Sequence, residues 1–137
     1  MSSFLDTNVV VYAFDGADLE KRATAISILE GVDRLVVSTQ VLLETWWVLT
    51  RRLAEPLFEE QASAVIDTLT ELPVVNTDPE LVQRAIRTAR DTGIAIWDAM
   101  IVEAARSAGC RRVLSEDLQD GRDYGGVVIR NPFDQDP

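Results

Sequence analysis

Apolar residues run along this chain in two rhythms. Short unbroken runs, Phe4-Leu5, Leu35–Val37, Val74-Val75, Val113-Leu114 and Val127–Ile129, are too brief for helices and read as strands that are buried on both faces. Between them the apolar positions return every three or four residues, the helical spacing. Taken in order, Ser3–Leu5 is a strand that runs straight into Asp6. Asn8–Phe14 is a short helix or turn that stops at Asp15-Gly16. Asp18 caps a helix reaching Glu30, with Gly31 as its stop. Arg34–Val37 is a strand, and Ser38 or Thr39 caps a helix to about Leu53. Pro56 ends that region and Phe58–Leu72 is a further helix. Pro73–Val75 is a strand. Asp78 followed by Pro79 opens a helix to Asp91, closed by Gly93. Trp97–Ala108 is a helix, Arg112–Leu114 a strand and Gly126–Ile129 another.

Strands alternating with helices predict an α/β fold, a mostly parallel sheet with helices on both faces. The 137 residues fit one domain, 1–137, with no linker, repeat or low-complexity tract. No apolar run reaches the ~18–20 residues of a membrane span. The opening MSSFLDTNVVVYAFDG lacks a basic segment and is interrupted by Asp6, so it does not read as a signal peptide, and a cytoplasmic location is expected. The single cysteine, Cys110, fits that expectation as a small buried apolar residue.

In such folds ligands bind beyond the carboxyl ends of the strands, and the acidic residues follow that rule. Asp6 comes directly after the first strand, where a helix N-cap is the plain alternative. Asp117 lies three residues past Leu114, in the acidic loop L-S-E-D-L-Q-D-G, with Glu116 and Asp120 competing for the same position. Glu44 lies on a helix that is apolar nearly all round, with Leu42, Trp46, Leu49 and Leu53 as its main stripe. That helix should be largely buried, with Glu44 either solvated or paired with Arg51 or Arg52. Asp98 shares its helix face with Ile101, Val102 and Ala105, an expensive place for a carboxylate without a partner.

Composition narrows the chemistry. The chain has no histidine, which removes Ser-His-Asp and Cys-His catalysis, histidine acid–base chemistry and histidine zinc sites. Carboxylates remain, and they suit hard cations such as Mg²⁺ and Mn²⁺. Four gathered carboxylates repel, each pair at ~6 Å costing roughly 3 kcal/mol at an effective dielectric of ~20; a bound cation offsets this. The net charge of −10 weighs against nucleic acid. Divalent ions would cancel part of it locally, and twelve of the thirteen basic residues are arginine, the side chain suited to bidentate phosphate contacts. Arg84, Arg87 and Arg90 read as a solvated helix face with the pairs Glu80–Arg84 and Arg87–Asp91. Arg51-Arg52 and Arg111-Arg112 read likewise. Trp46 is expected in the core and Trp47 at an interface.

The segments D6-T-N-V-V-V-Y-A-F-D, S38-T-Q-V-L-L-E44, W97-D98-A-M-I-V-E-A-A, L114-S-E-D117-L-Q-D-G and I129-R-N-P-F together resemble the PIN domain, and within it the VapC toxins of bacterial toxin–antitoxin pairs. The resemblance runs nearly end to end, with every motif in family order. It implies a three-layer α/β/α fold around a central parallel sheet of about five strands. It also implies an Mg²⁺- or Mn²⁺-dependent endoribonuclease that forms a homodimer and is inhibited by a cognate VapB-like antitoxin. By position, Asp6, Glu44, Asp98 and Asp117 match the acidic quartet, with Asp6 and Asp98 as principal metal ligands; Asn8 and Ser115 match polar positions beside it. The fourth acidic position varies in the family, so Glu116 and Asp120 stay in reserve. Two other functions compete. A phosphatase of the haloacid dehalogenase type also places Asp after its first strand, but needs a second Asp where this chain has Asn8. A non-catalytic PIN-like module would bind RNA or a protein without cutting.

Overall fold

The computed structural model describes residues 1–134. The elements follow in the order β1 (Ser2–Leu5), α1 (Thr7–Tyr12), α2 (Leu19–Leu29), β2 (Arg34–Ser38), α3 (Thr39–Arg51), α4 (Glu59–Leu69), β3 (Val74–Val75), α5 (Pro79–Thr92), α6 (Ile96–Ser107), β4 (Arg112–Leu114), β5 (Asp123–Tyr124) and β6 (Val127–Arg130). They form one sheet in the order β3-β2-β1-β4-β6-β5. The first five strands of that order are parallel; β5 alone pairs antiparallel, with β6. The sheet therefore has six strands. The additional one is a two-residue edge strand turned back by Gly125 and Gly126, both at positive φ (63° and 98°), a conformation glycine adopts without steric cost.

The helix starts follow from local chemistry. Ser38 Oγ accepts from Val41 N–H, Asp18 from Lys21 N–H and Asp78 from Leu81 N–H. Gly93, at φ 80°, closes α5 in the left-handed conformation. Consecutive residues of β1 and β2 are buried, Ser3 through Leu5 and Leu35 through Ser38, so both faces of the sheet centre are covered. Phe4, Leu5, Val36, Val37, Val113 and Ile129 form the heart of the main core, against Met100, Ile101 and Val102 of α6. Cys110 is buried there as well. A smaller cluster of Val11, Leu49, Leu53 and Ala62 joins α1, α3 and α4.

α3 differs from its expected burial. Its covered stripe is Val41, Thr45 and Leu49, whereas Leu42 and Trp46 are only half-buried, Leu43 is 73% exposed and Trp47 42%. Apolar residues occupy more of this helix than α1, α4 and the sheet cover. Nor do the expected ion pairs Glu80–Arg84 and Arg87–Asp91 form; the ion pairs among the described residues lie elsewhere.

Among the described residues the most buried charge is Glu103, 3% exposed in the middle of α6. It accepts from Thr88 of α5 at 2.8 Å and from Arg106 Nε at 3.1 Å. Arg106 in turn donates to the carbonyls of Tyr124 (2.6 Å) and Gly125 (2.9 Å). The strut fixes α6, the helix that carries Asp98, between α5 and the β5–β6 turn.

Candidate active site

β1 and β4 are neighbours, and the chain leaves both at the same edge of the sheet. That adjacency brings Asp6 and the 115–118 loop together although 109 residues separate Asp6 from Ser115. Asp6 is 7% exposed. It occupies the N-cap position of α1, but its Oδ1 accepts from the amide of the next residue, Thr7, at 2.8 Å. A capping carboxylate ordinarily serves an amide two or three residues further on. Oδ2 accepts from the Ser115 hydroxyl at 2.7 Å and from Asn8 Nδ2 at 3.3 Å. Ser115, fully buried, is a hub: its one hydroxyl proton goes to Asp6, and its oxygen accepts the amides of Asp117 (3.1 Å) and Leu118 (3.3 Å). Asn8 completes the link by donating to Asp117 Oδ2 at 3.1 Å and accepting from Glu116 N–H at 3.1 Å.

Glu44 reaches the same place from α3. Its Oε2 accepts from the Thr7 hydroxyl at 3.1 Å, and its Oε1 from Gln40 Nε2 at 3.1 Å, one helical turn earlier. Neither Arg51 nor Arg52 pairs with it. Asp6, Glu44, Asp117 and Asn8 line one cleft of about 330 Å³, together with Tyr12 and Arg52. Asp98 stands outside that lining, in the first turn of α6, and its carboxylate makes no hydrogen bond or ion pair with a described residue. Its helix neighbours Ile101, Val102 and Ala105 are buried.

Electrostatics tie the four together. Burial pushes the Asp6 carboxyl from 3.8 up to about 6; the Ser115 and Thr7 hydrogen bonds pull it down, and the charges of Asp117 and Glu44 push it up again. Asp98 is raised as well, by burial first and then by the same two charges, Asp117 and Glu44. Both carboxyls therefore lie in the field of both others. Among the described residues no three acidic side chains already stand close enough to hold one ion between them; the oxygens of Asp6, Glu44 and Asp117 are turned to neighbouring donors instead.

The competing acids of the loop go elsewhere. Glu116 is bridged by Lys21 at 2.6 Å and accepts from the Tyr12 hydroxyl at 2.7 Å. Lys21 also lies over the Tyr12 ring at 4.9 Å and the Phe133 ring at 5.8 Å. Asp120 accepts from Asn131 N–H at 2.9 Å. Sequence reasoning missed Thr7, Gln40 and Arg52 at this site. Gln40 carried a usable signal, since it lies four residues before Glu44 on one helix face.

A mostly parallel α/β sheet with acidic side chains gathered at its carboxyl edge defines the class. A family model described as PIN domain matches residues 3–119, and the chain belongs to the PIN-domain family. No curated protein matches it in sequence. Solved structures share the fold. VapC20 of Mycobacterium tuberculosis, a sarcin–ricin-loop-cleaving toxin, is 22% identical over 84% of this chain and 91% of its own, with a TM-score of 0.66. VapBC2 of Rickettsia felis, bound to a fragment of its promoter DNA, is 18% identical over 96% and 98%, TM-score 0.66. FitAcB of Neisseria gonorrhoeae is 16% identical over 97% and 99%, TM-score 0.61.

Proposed function

We propose that this chain is a metal-dependent endoribonuclease, the toxin of a VapBC-type pair, which hydrolyses RNA phosphodiester bonds at the carboxylate cluster. The observation that carries the reading is that a deeply buried carboxyl, Asp6, and an unpartnered one, Asp98, both lie in the field of the same two acids, Glu44 and Asp117. A PIN-domain family match and fold neighbours that are VapC-type proteins support it.

The donor set fits a hard divalent cation: oxygen ligands alone, excess negative charge, and no histidine or thiolate nearby. Asp6 and Asp98 would be the principal ligands of Mg²⁺ or Mn²⁺, with Glu44 and Asp117 contributing from either side. When bound, the ion supplies an acidified water and positive charge against the phosphate oxygens and the leaving group. The chain's own residues prepare that chemistry. Ser115 and the Thr7 amide fix the Asp6 carboxylate, Thr7 and Gln40 hold Glu44, and Asn8 spans Asp6 and Asp117. The exposed apolar side of α3 supports a homodimer, and neighbours described as a toxin–antitoxin complex and as VapBC-1 support a VapB-like antitoxin.

The deciding experiment is cleavage of RNA by the purified protein with Mn²⁺ or Mg²⁺, with EDTA, and in the variant Asp98→Asn. Cleavage should stop with EDTA, return with Mn²⁺, and fall at least about a thousandfold in Asp98→Asn without loss of folding. Wild-type protein that binds RNA in Mn²⁺ but leaves it intact would make the chain a non-catalytic binding module.

A further inference from the structure

A chain with ten excess negative charges has to hold a polyanion somewhere, and the cleft offers one basic side chain. Arg52 closes α3 at its C-cap, eight residues beyond Glu44, which places the two about 12 Å apart along the helix. Arg52 makes no ion pair and no side-chain hydrogen bond with a described residue. Its guanidinium lies over the Trp47 ring at 4.7 Å. The other arginines with partners are committed elsewhere. Arg112 bonds to Ser3 and Asp33, Arg106 to Glu103 and two carbonyls, Arg34 to Ser2, and Arg122 stacks on Tyr124.

A guanidinium seated over an indole ring is held in place without using its N–H donors in hydrogen bonds. All five stay available for an acceptor with several oxygens, and a phosphodiester is the acceptor that a planar fork matches. Glu44, the acid nearest on the same helix, is already satisfied by Thr7 and Gln40. The guanidinium is thus positioned, free of hydrogen-bond partners and in the same cleft as the carboxylates that repel a polyanion. We propose that Arg52, seated on Trp47, binds the RNA backbone at a phosphate flanking the scissile one and so lets an acidic protein hold its substrate. This rests on RNA as the substrate of the cleft, and the test separates the two.

The full chain carrying Asp98→Asn, which should bind without cutting, is titrated into a fluorescein-labelled single-stranded oligoribonucleotide of mixed sequence with Mn²⁺ present. Anisotropy is read from about 50 to about 300 mM salt. Adding Arg52→Gln should weaken binding about fivefold at low salt and flatten the slope of log Kd against log salt by about 0.7, one phosphate contact on a single strand. Arg52→Lys should keep the slope and recover only part of the affinity, because it keeps the charge but not the fork. Trp47→Leu should weaken binding by removing the seat. In otherwise wild-type protein, Arg52→Gln should raise KM by a similar factor with kcat within about twofold. Arg52 is exposed, so Arg52→Gln is expected to fold and reads the contact even if Trp47→Leu does not. An unchanged Kd and slope in Arg52→Gln, in a protein that cleaves RNA, overturns the role of Arg52 and leaves the nuclease standing. Arg52-dependent binding without cleavage by the wild type does the reverse, and no RNA binding at all removes both.

Discussion

Replacing Asp6 by Asn in the metal-free protein sets two opposed effects against each other, and pH decides the winner. The Asp6 carboxyl rises from 3.8 to about 6 on folding, chiefly through burial. The folded state therefore holds the proton more tightly than the unfolded one. The stability this contributes is fully present below pH 3.8 and is lost as pH climbs through 6. The shift corresponds to about 3 kcal/mol by pH 8. Asp98, raised in the same direction, adds to the loss. Asparagine cannot ionise, so Asp6→Asn escapes the Asp6 share. It pays by placing an amide N–H₂ against Ser115 and Asn8, both of which donate to Asp6 Oδ2 in the wild type, at a cost of about 1–2 kcal/mol. Net, the variant should be about 1–2 kcal/mol more stable than wild type at pH 8 and up to about 1 kcal/mol less stable at pH 4.5, where wild type has already lost about 1 kcal/mol. For a domain of this length about 1 kcal/mol moves Tm by roughly 3 °C, so the two melting curves should cross between those pH values. The assay is a set of thermal melts in EDTA from pH 4.5 to 8. A variant destabilised equally at both ends would refute the reasoning, for folding would then leave the Asp6 carboxyl's titration unshifted.

Other measurements test neighbouring parts. Ser115→Ala removes the hydrogen bond that lowers the Asp6 pKa, so the carbon-detected NMR titration of Asp6 in metal-free protein should move up; an unmoved titration would mean that Ser115 does not hold the ionised form. Glu103→Ala strips Arg106 and Thr88 of a buried acceptor, and urea unfolding should show a loss of about 2–3 kcal/mol with an unchanged m-value. A loss under 1 kcal/mol would make the strut ornamental.

What could be read from the sequence, and what could not, separates by range. The five parallel strands were legible because each is a short apolar run, buried in β1 and β2 and partly covered in β3 at the edge; the apolar helix face that Asp98 shares was legible from the spacing of Ile101, Val102 and Ala105, all three of which are buried. The edge strand Asp123–Tyr124 was not, because two residues carry no period and its pairing is set by the glycines that follow. The covered stripe of α3 was misassigned for a related reason: apolar residues on nearly every side give periodicity nothing to choose, and the winning stripe contains a polar residue, Thr45. Which loop acid faces the cleft was undecidable locally, since Glu116 is drawn off by Lys21, 95 residues away. Arg52 looked like a solvated charge until the fold showed it lining the same cleft as Glu44 and lying over Trp47.

The strand order also fixes when the cleft can exist during synthesis. β4, which delivers Ser115 and Asp117 to Asp6, is inserted between β1 and β6, and almost the whole chain lies between its two ends of the bargain. A ribosome adding about 5–20 residues per second exposes Asp6 on the order of ten seconds before its distant companions emerge. Nascent chains therefore carry fragments of the acidic pocket but never the assembled one. Whatever the assembled cleft does therefore waits until β4 and the 115–118 loop have emerged and found β1.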